Sequence, residues 1–454
     1  MNNKTGAIII GINDIWEPLA ASAARISTQK GDALNIFENS KNNPSNRGLI
    51  KKVLSSGHSS VLEQIVFNIA FCDVSVVVEQ FMIEFRLASF MVKSRRYVDF
   101  SDAGFYVPES LDGENKKIYC DHVNYLFGEY NYFESNGVPK EDARFLLPYC
   151  FYSNFYCSVN ARELLLILRR MLYGAGAYIG EIKTLGMQLL SQLKDMCPIL
   201  YEEFYISRSE YMSAAPPPVF SADNDINKSK IGAVELVDYT KDADKILRTA
   251  ARVKGEIYNG AVSILKSPRP REIEHLVYTF IIYGISLSGI THVTRHRMQS
   301  LTVPSLTSVD PGRYLIPETI KVSAELHERY LKAFSANIEI IKKLKNSGAV
   351  ENELVYLGLS GNVLDVISTM NARELFLFFK LRTCCRAQWE IRGLSEKLLN
   401  KLIGISPEIF KFMGPSCFVD GVCPEGRLSC GKPRGKLKKD PNTCDVVGRY
   451  FNEN

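Results

Sequence analysis

Three observations predict an α+β fold built twice in tandem. A single offset, 211 residues, aligns the chain with itself without a gap over more than a hundred positions. Short apolar runs and longer amphipathic segments follow one another without the regular βαβ rhythm of a doubly wound sheet. Apolar residues make up 46% of the 454 positions and charged residues 23%, the balance of an ordinary globular core, so a disordered or fibrous chain is excluded.

The offset pairs Glu63 with Glu274, Val66 with Val277, Ser75 with Ser286 and Arg86 with Arg297. It continues through Ser89 and Ser300, then Ser94 and Ser305, and reaches Asn160-Ala161-Arg162-Glu163-Leu164 against Asn371-Ala372-Arg373-Glu374-Leu375. The openings also match, Ala23-Ala24-Arg25-Ile26 recurring as Ala250-Ala251-Arg252-Val253, with a longer insertion in the first copy. Residues 213–230, SAAPPPVFSADNDINKSK, carry three consecutive prolines that continue neither a helix nor a central strand. The expected organisation is a first copy over 1–212, a Pro-rich linker over 213–230, a second copy over 231–404 and a small Cys-containing tail over 405–454. Within each copy a helix comes first (residues 15–25 and 242–266). A β-like run (Ile65 to Val78, Leu276 to Ile285) then leads into an Arg/Ser-rich segment. Long helices finish the copy, one expected from Ala372 to Leu402.

A net charge of +5 is too small for a histone-like polycation and suits an anionic small molecule as well as it suits nucleic acid. The stretch from His275 to Val293 lacks charge, but Ser, Gly and Thr fill it and charged residues crowd both ends. It reads as a buried strand and helix, not a membrane span. Eleven scattered cysteines and no secretory signal point to a reducing, cytoplasmic setting. Neither membrane nor nucleic acid is an expected partner.

The chemistry gathers in a few places. Arg295-His296-Arg297, with Ser300 and Ser305 beyond, makes a cradle for anions, because guanidinium forks match phosphate oxygens. A solvated basic turn would explain a bare R-H-R, but this one follows a buried run and is expected to face the interior. Leu375, Phe378, Phe379, Arg382, Arg386 and Trp389 fall on one face at helical spacing, which puts Arg382 on an apolar stripe where a guanidinium needs an anion. A structural salt bridge is the plainer alternative. In the first copy His58, Ser60 and Glu63, then Arg86, Ser94, Arg95, Arg96 and Arg144, are the chemically informative residues.

The losses in the two copies are complementary. The second copy has Arg269 and Arg271 for His58 and Ser60, Thr307 for Arg96 and Val355 for Arg144. The first copy has Glu84-Phe85 for Arg295-His296 and Met171 for Arg382. In the tail, Cys417, Cys423, Cys430 and Cys444 could hold a structural zinc, though their spacing is wider than C-x-x-C and free or paired thiols are the plainer reading.

Together H-x-S-x-x-E, R-H-R-x-x-S-x-x-x-x-S and N-A-R-E-L followed by L-R-x-x-x-x-A-Q-W-E-I-R resemble the flavin-dependent thymidylate synthases. VELVDYTKDADKILRTAAR, FYVPES and DARFLLPYC extend the resemblance over both copies. It implies two tandem copies of that fold, a β-sheet with long flanking helices. It implies conversion of dUMP to dTMP with FAD as cofactor, NADPH as reductant and methylenetetrahydrofolate as carbon donor. By the resemblance His58, Ser60, Glu63, Arg295, His296, Arg297, Asn371 and Arg373 hold FAD. His292, Arg295, Ser94, Arg95, Arg96 and Arg144 bind nucleotide, and Arg382 activates the uracil ring. The nucleotide residues of the first copy and the activating arginine of the second imply one composite site per chain, and a homodimer of tandem chains acting as a pseudo-tetramer. Met91 and Thr302 stand where the family has Asn, Val92 and Val303 where it has Glu, and His292 where it has Gln. These departures suggest two alternatives, methylation of another pyrimidine nucleotide or a non-catalytic flavin- or nucleotide-binding role.

Overall fold

The computed structural model describes residues 6–206 and 230–431; the linker up to residue 229 and the tail from residue 432, with Cys444, lie outside the described residues. Two four-stranded antiparallel sheets are present, of order β1-β2-β4-β3 and β5-β6-β8-β7. Their strands are β1 (Gly6–Ile12), β2 (Val66–Ser75), β3 (Ser89–Val92), β4 (Tyr152–Asn160), β5 (Ala233–Tyr239), β6 (Val277–Ser286), β7 (Gln299–Thr302) and β8 (Val363–Asn371).

The repeat holds residue by residue. Val66 faces Asn160 as Val277 faces Asn371, and Ser89 faces Ser158 as Ser300 faces Thr369. Ala7 faces Phe71 as Val234 faces Ile282, so the extra residues of the first copy lie between its first two strands, where the helix Ala33–Glu38 forms. Along β4, Phe155, Cys157 and Val159 are buried while Tyr156 and Ser158 face out, the alternation of a sheet covered on one side. The helix Gly180–Met196 packs on β1, and the helix Trp389–Ile405 packs on β5. Gln188 and Gln192, one turn apart, accept the Ala7 and Ile9 N–H groups at 3.1 and 2.8 Å and so cover an edge strand.

Both central strands carry a bulge at one equivalent point, with Asp73 (φ 47°) and Gly284 (φ 62°) in the left-handed region. Asn154 accepts the Asp73 N–H at 3.0 Å and Asp365 accepts that of Gly284 at 2.7 Å. An added Cβ at Gly284 would stand 2.8 Å from the Ile231 Cα, a backbone atom that cannot swing away. Gly284→Ala is therefore expected to cost about 2–4 kcal/mol, the left-handed penalty plus the collision. Chemical denaturation measures this; an unchanged midpoint would refute it.

Past the bulge, Ser75 and Ser286 cap the helices Val76–Ile83 and Leu287–Val293. Their backbone N–H groups donate to buried carboxylates, Glu181 at 2.8 Å and Glu390 at 2.6 Å. Burial pushes the Glu181 carboxyl up to about 7. The segment His275 to Val293 is the expected buried strand and helix, and no helix of the described residues is long and apolar enough to cross a membrane.

The long helix expected from Ala372 to Leu402 is two helices, Ala372–Arg382 and Trp389–Ile405. Thr383 turns its hydroxyl back onto the Phe379 carbonyl at 2.6 Å, and Gln388 caps the second helix by accepting the Ile391 N–H at 3.1 Å. The expected 242–266 helix is likewise divided, with Gly255 in the left-handed conformation ending Ala243–Lys254 before Ala261–Leu265.

The chain divides into two compact units. One comprises the described residues of Met1–Ser221 with Leu306–Pro311 and Pro317–Ser360, the other those of Ala222–Ser305, Gly312–Ile316 and Gly361–Asn454. In the first unit the helices Gly113–Ser135 and Ala324–Asn346 pair. Arg329 grips Glu129 bidentately at 2.6 and 2.9 Å and lies 3.7 Å over the Tyr132 ring. Beneath them His122 meets the Asn337 side chain at 2.9 Å.

Candidate active site

In the second unit the helix Leu287–Val293, buried along its whole length, delivers the chain into the Arg295-His296-Arg297 turn. Gln299 pins this turn, donating to the Val293 carbonyl at 2.7 Å and the His296 carbonyl at 2.6 Å while accepting from Ser368 at 2.8 Å. So tight a turn cannot point all three side chains one way. His296 is buried, and Arg295 and Arg297 face solvent, which corrects the expectation that the whole cradle faces inward. His292 is buried on the preceding helix.

The helix Ala372–Arg382 starts directly from β8. Asn371 is its N-cap, accepting the Glu374 N–H at 2.9 Å. The Glu374 carboxylate in the first turn meets His296 Nδ1 at 2.8 Å. Two turns on, Arg382 Nε donates to His296 Nε2 at 3.0 Å. The Phe378 ring stands edge-on to the imidazole, centroids 4.9 Å apart. Burial draws the His296 pKa down; the Glu374 hydrogen bond opposes this and the Arg382 charge reinforces it. Arg382 is half-buried and ends its helix, so Arg386 and Trp389 do not continue its stripe. Arg386 Nε instead donates to the Leu428 carbonyl in the tail.

Arg373 pairs with Glu274, as Arg162 pairs with Glu63 at 2.7 Å in the first unit. Beside Asn371, Arg373 and Glu374 lies a cavity of about 1110 Å³. Lys380 and Phe376 line it from the same helix; Lys411 and Phe412, just past the short helix Pro407–Phe410, and Phe418, Val419 and Asp420, at the end of the helix Ser416–Val419, line it from the tail. Lys380 holds Asp420 at 2.7 Å. The cations Lys266, Arg373, Lys380 and Lys411 outnumber the carboxylates Glu274, Glu374 and Asp420 on this lining by one, and Leu265, Phe376, Phe412 and Phe418 add apolar wall, a donor set that can take an anionic, aromatic dinucleotide such as FAD.

The first unit gathers Ser94, Arg95, Arg96 and Arg144. Arg95 is committed to Glu79 at 2.8 Å, both buried, and Ser153 donates to the second Glu79 oxygen at 2.5 Å. Arg96 Nε meets the Glu141 carboxylate at 2.7 Å, and buried Arg144 donates from Nε to the Glu141 carbonyl at 3.1 Å. The Ser94 hydroxyl accepts the Arg96 N–H at 3.3 Å. His58, Ser60 and Glu63 are exposed around the turn Ser59–Gln64.

Among the described residues no three His, Cys, Asp or Glu side chains come together to hold a metal, so Cys417, Cys423 and Cys430 do not converge; Cys444 lies outside the described residues. Glu374, Gln299 and Ser368 were not among the expected site residues. Comparing the copies exposes two of them, since Gln299 and Ser368 stand opposite the apolar pair Ala88 and Cys157.

Comparison with known proteins identifies the family. The family described as thymidylate synthase complementing protein matches twice, over residues 13–199 and 235–408. A flavin-dependent thymidylate synthase of Clostridium tetani is 32% identical over 245 residues, covering 45% of this chain and 95% of that protein. One from Pyrococcus furiosus is 36% identical over 185 residues, covering 38% of this chain and 75% of that protein. Among solved structures, the UMP/dUMP methylase PolB of Streptomyces cacaoi, bound with 5-Br dUMP, matches at 23% identity and a TM-score of 0.38, over 45% of this chain and 95% of its own. With both copies matched, the chain belongs to the flavin-dependent thymidylate synthase family as a tandem duplication of its domain.

Proposed function

We propose that this enzyme makes dTMP from dUMP, with FAD as cofactor, methylenetetrahydrofolate as carbon donor and NADPH as reductant. The observation that carries the reading is one chain of hydrogen bonds. Glu374 lines the cavity and also holds His296, and His296 holds Arg382. In this reading Arg295, His296, Arg297, Asn371 and Arg373 hold FAD on the second copy, and His58, Ser60 and Glu63 on the first. His292, Arg295, Ser94, Arg96 and Arg144 receive the nucleotide, with Arg95 beside them. Residues of both copies thus serve one composite site, and two chains act as a pseudo-tetramer.

Arg382 is the group that acts on the base. A guanidinium beside N3 of uracil stabilises the anion left when that proton departs, and an N3 pKa lowered by about 2 units amounts to roughly 2.7 kcal/mol. The charge spreads over N3 and the two carbonyl oxygens, which then withdraw less from the N1–C6=C5 enamine; C5 would bond to the one-carbon unit as that carbon's bond to the folate nitrogen breaks, and the C5 proton would then be released. Arg382 Nε is engaged by His296, so the terminal guanidinium nitrogens meet the base. Reduced flavin, when bound, supplies the reducing equivalent. No protein thiol is needed, and burial pushes Cys150, Cys157 and Cys197 up to about 12, which keeps them protonated.

Tritium release from C5-labelled dUMP tests this, using the purified chain with FAD, NADPH and methylenetetrahydrofolate. Release dependent on all three is expected. A chain that binds FAD but releases no tritium would overturn the dUMP reading.

A further inference from the structure

We propose that Glu374 and His296 are positioning residues that fix the guanidinium of Arg382 through a hydrogen-bond relay of one direction. The inference rests on the reading of Arg382 as the base-activating group, but its geometric core does not depend on any substrate.

The chemistry of the three groups leaves one arrangement. Arginine is only a donor, so His296 Nε2, 3.0 Å from Arg382 Nε, must be the acceptor and carry no proton. The remaining proton of the imidazole is then on Nδ1, which faces the Glu374 carboxylate, only an acceptor, at 2.8 Å. An imidazolium would offer a second donor to Arg382 and repel its charge; burial and Arg382 both disfavour it. Thus Glu374 selects the tautomer, the tautomer provides the lone pair, and the lone pair sets the plane of the guanidinium. Asn371 fixes the first turn that carries Glu374, and Phe378 braces the ring edge.

The first copy supplies an internal control. Its equivalents are Glu163, Phe85 and Met171, so histidine and arginine are absent together. With no imidazole to hold, Glu163 accepts the backbone N–H of Leu87 instead. A histidine whose only duty was to pack or to touch a cofactor would not need its acceptor nitrogen aimed at the arginine.

Nitrogen-15 NMR of the full-length chain, labelled at histidine and arginine and free of ligands, reads the relay directly. Loss of one signal set in His296→Gln identifies His296. A neutral ring protonated at Nδ1 is expected, together with a slowly exchanging Arg382 Nε–H. In Glu374→Leu the tautomer is expected to mix and the Arg382 resonance to average. In Glu374→Gln, whose amide oxygen still accepts from Nδ1–H, both signatures should survive. In turnover, Glu374→Leu should lower kcat at least about tenfold with KM for dUMP within about threefold, and Glu374→Gln should recover most of it. An Nε2–H tautomer or an imidazolium in the wild-type chain overturns the relay even if the enzyme makes dTMP. So does a Glu374→Leu chain with unchanged tautomer. A wild-type chain with the expected tautomer but no tritium release overturns the dTMP reading and leaves the relay standing. If Glu374→Leu does not fold, the wild-type and Glu374→Gln spectra still decide.

Discussion

Alanine at Arg382 is expected to lower tritium release by about 100- to 1000-fold, the usual effect of removing one preorganised donor from developing negative charge. Alanine at Met171, its counterpart in the first copy, should leave turnover within a few-fold and act on stability instead. Met171 is fully buried, and truncating it opens a cavity that costs about 2–5 kcal/mol. Arg382 is half-buried in the last turn of its helix, so Arg382→Ala gives up a small helix-dipole contribution and the hydrogen bond to buried His296, about 1–2 kcal/mol together, and should destabilise less than Met171→Ala. The two variants thus separate chemistry from packing in opposite directions, by steady-state kinetics and by denaturation. Comparable losses of turnover at both positions would mean that each copy carries a working site, and the composite reading would fall.

Why the duplication is legible in the sequence follows from what a strand register needs. A β-pairing fixes every side chain on one face or the other, so a copy cannot slip by one residue without turning its core outward. The 211-residue offset therefore survives even where Arg has become Met and His has become Phe, and it carries over to the paired residues of both sheets. The helix start expected at Ala372 was also readable, and Asn371 caps it by accepting the Glu374 N–H.

Breaks in pattern were harder to see. The stripe from Leu375 to Trp389 keeps helical spacing straight across Thr383–Gln388, where the helix stops, because side-chain back-bonding by Thr383 and capping by Gln388 leave no mark on hydrophobic periodicity. The same limit hides direction in a tight turn. R-H-R in sequence does not say that His296 goes in while its two arginines stay out; Gln299 and Ser368, from β7 and β8, decide that. The Glu374–His296–Arg382 chain joins residues from two separate segments, 78 positions apart between His296 and Glu374, and only the fold brings them within hydrogen-bond reach.

Arg95→Leu alone is expected to destabilise the chain by about 3–5 kcal/mol, because it strands the Glu79 carboxylate, 1% exposed, with no charge partner. Glu79→Ile alone should cost a similar amount by stranding the guanidinium. The triple change Glu79→Ile, Arg95→Leu and Ser153→Leu is expected to return most of that loss. It installs the residues the second copy has at the equivalent positions, Ile290, Leu306 and Leu364. Both charges and the Ser153 hydroxyl then leave together, the buried Tyr149 hydroxyl losing only its Arg95 partner, and the volume lost at position 95 is offset at 153. Urea denaturation of the three variants and the wild-type chain checks the ordering, and a triple variant as weak as either single would refute the pairing as its cause. Kinetics on the recovered triple then decide what Arg95 is for. If stability returns but KM for dUMP rises at least about tenfold, the guanidinium reaches the nucleotide as well as Glu79. If both return, Arg95 serves the core, and Arg96 and Arg144 bear the nucleotide's charge without it.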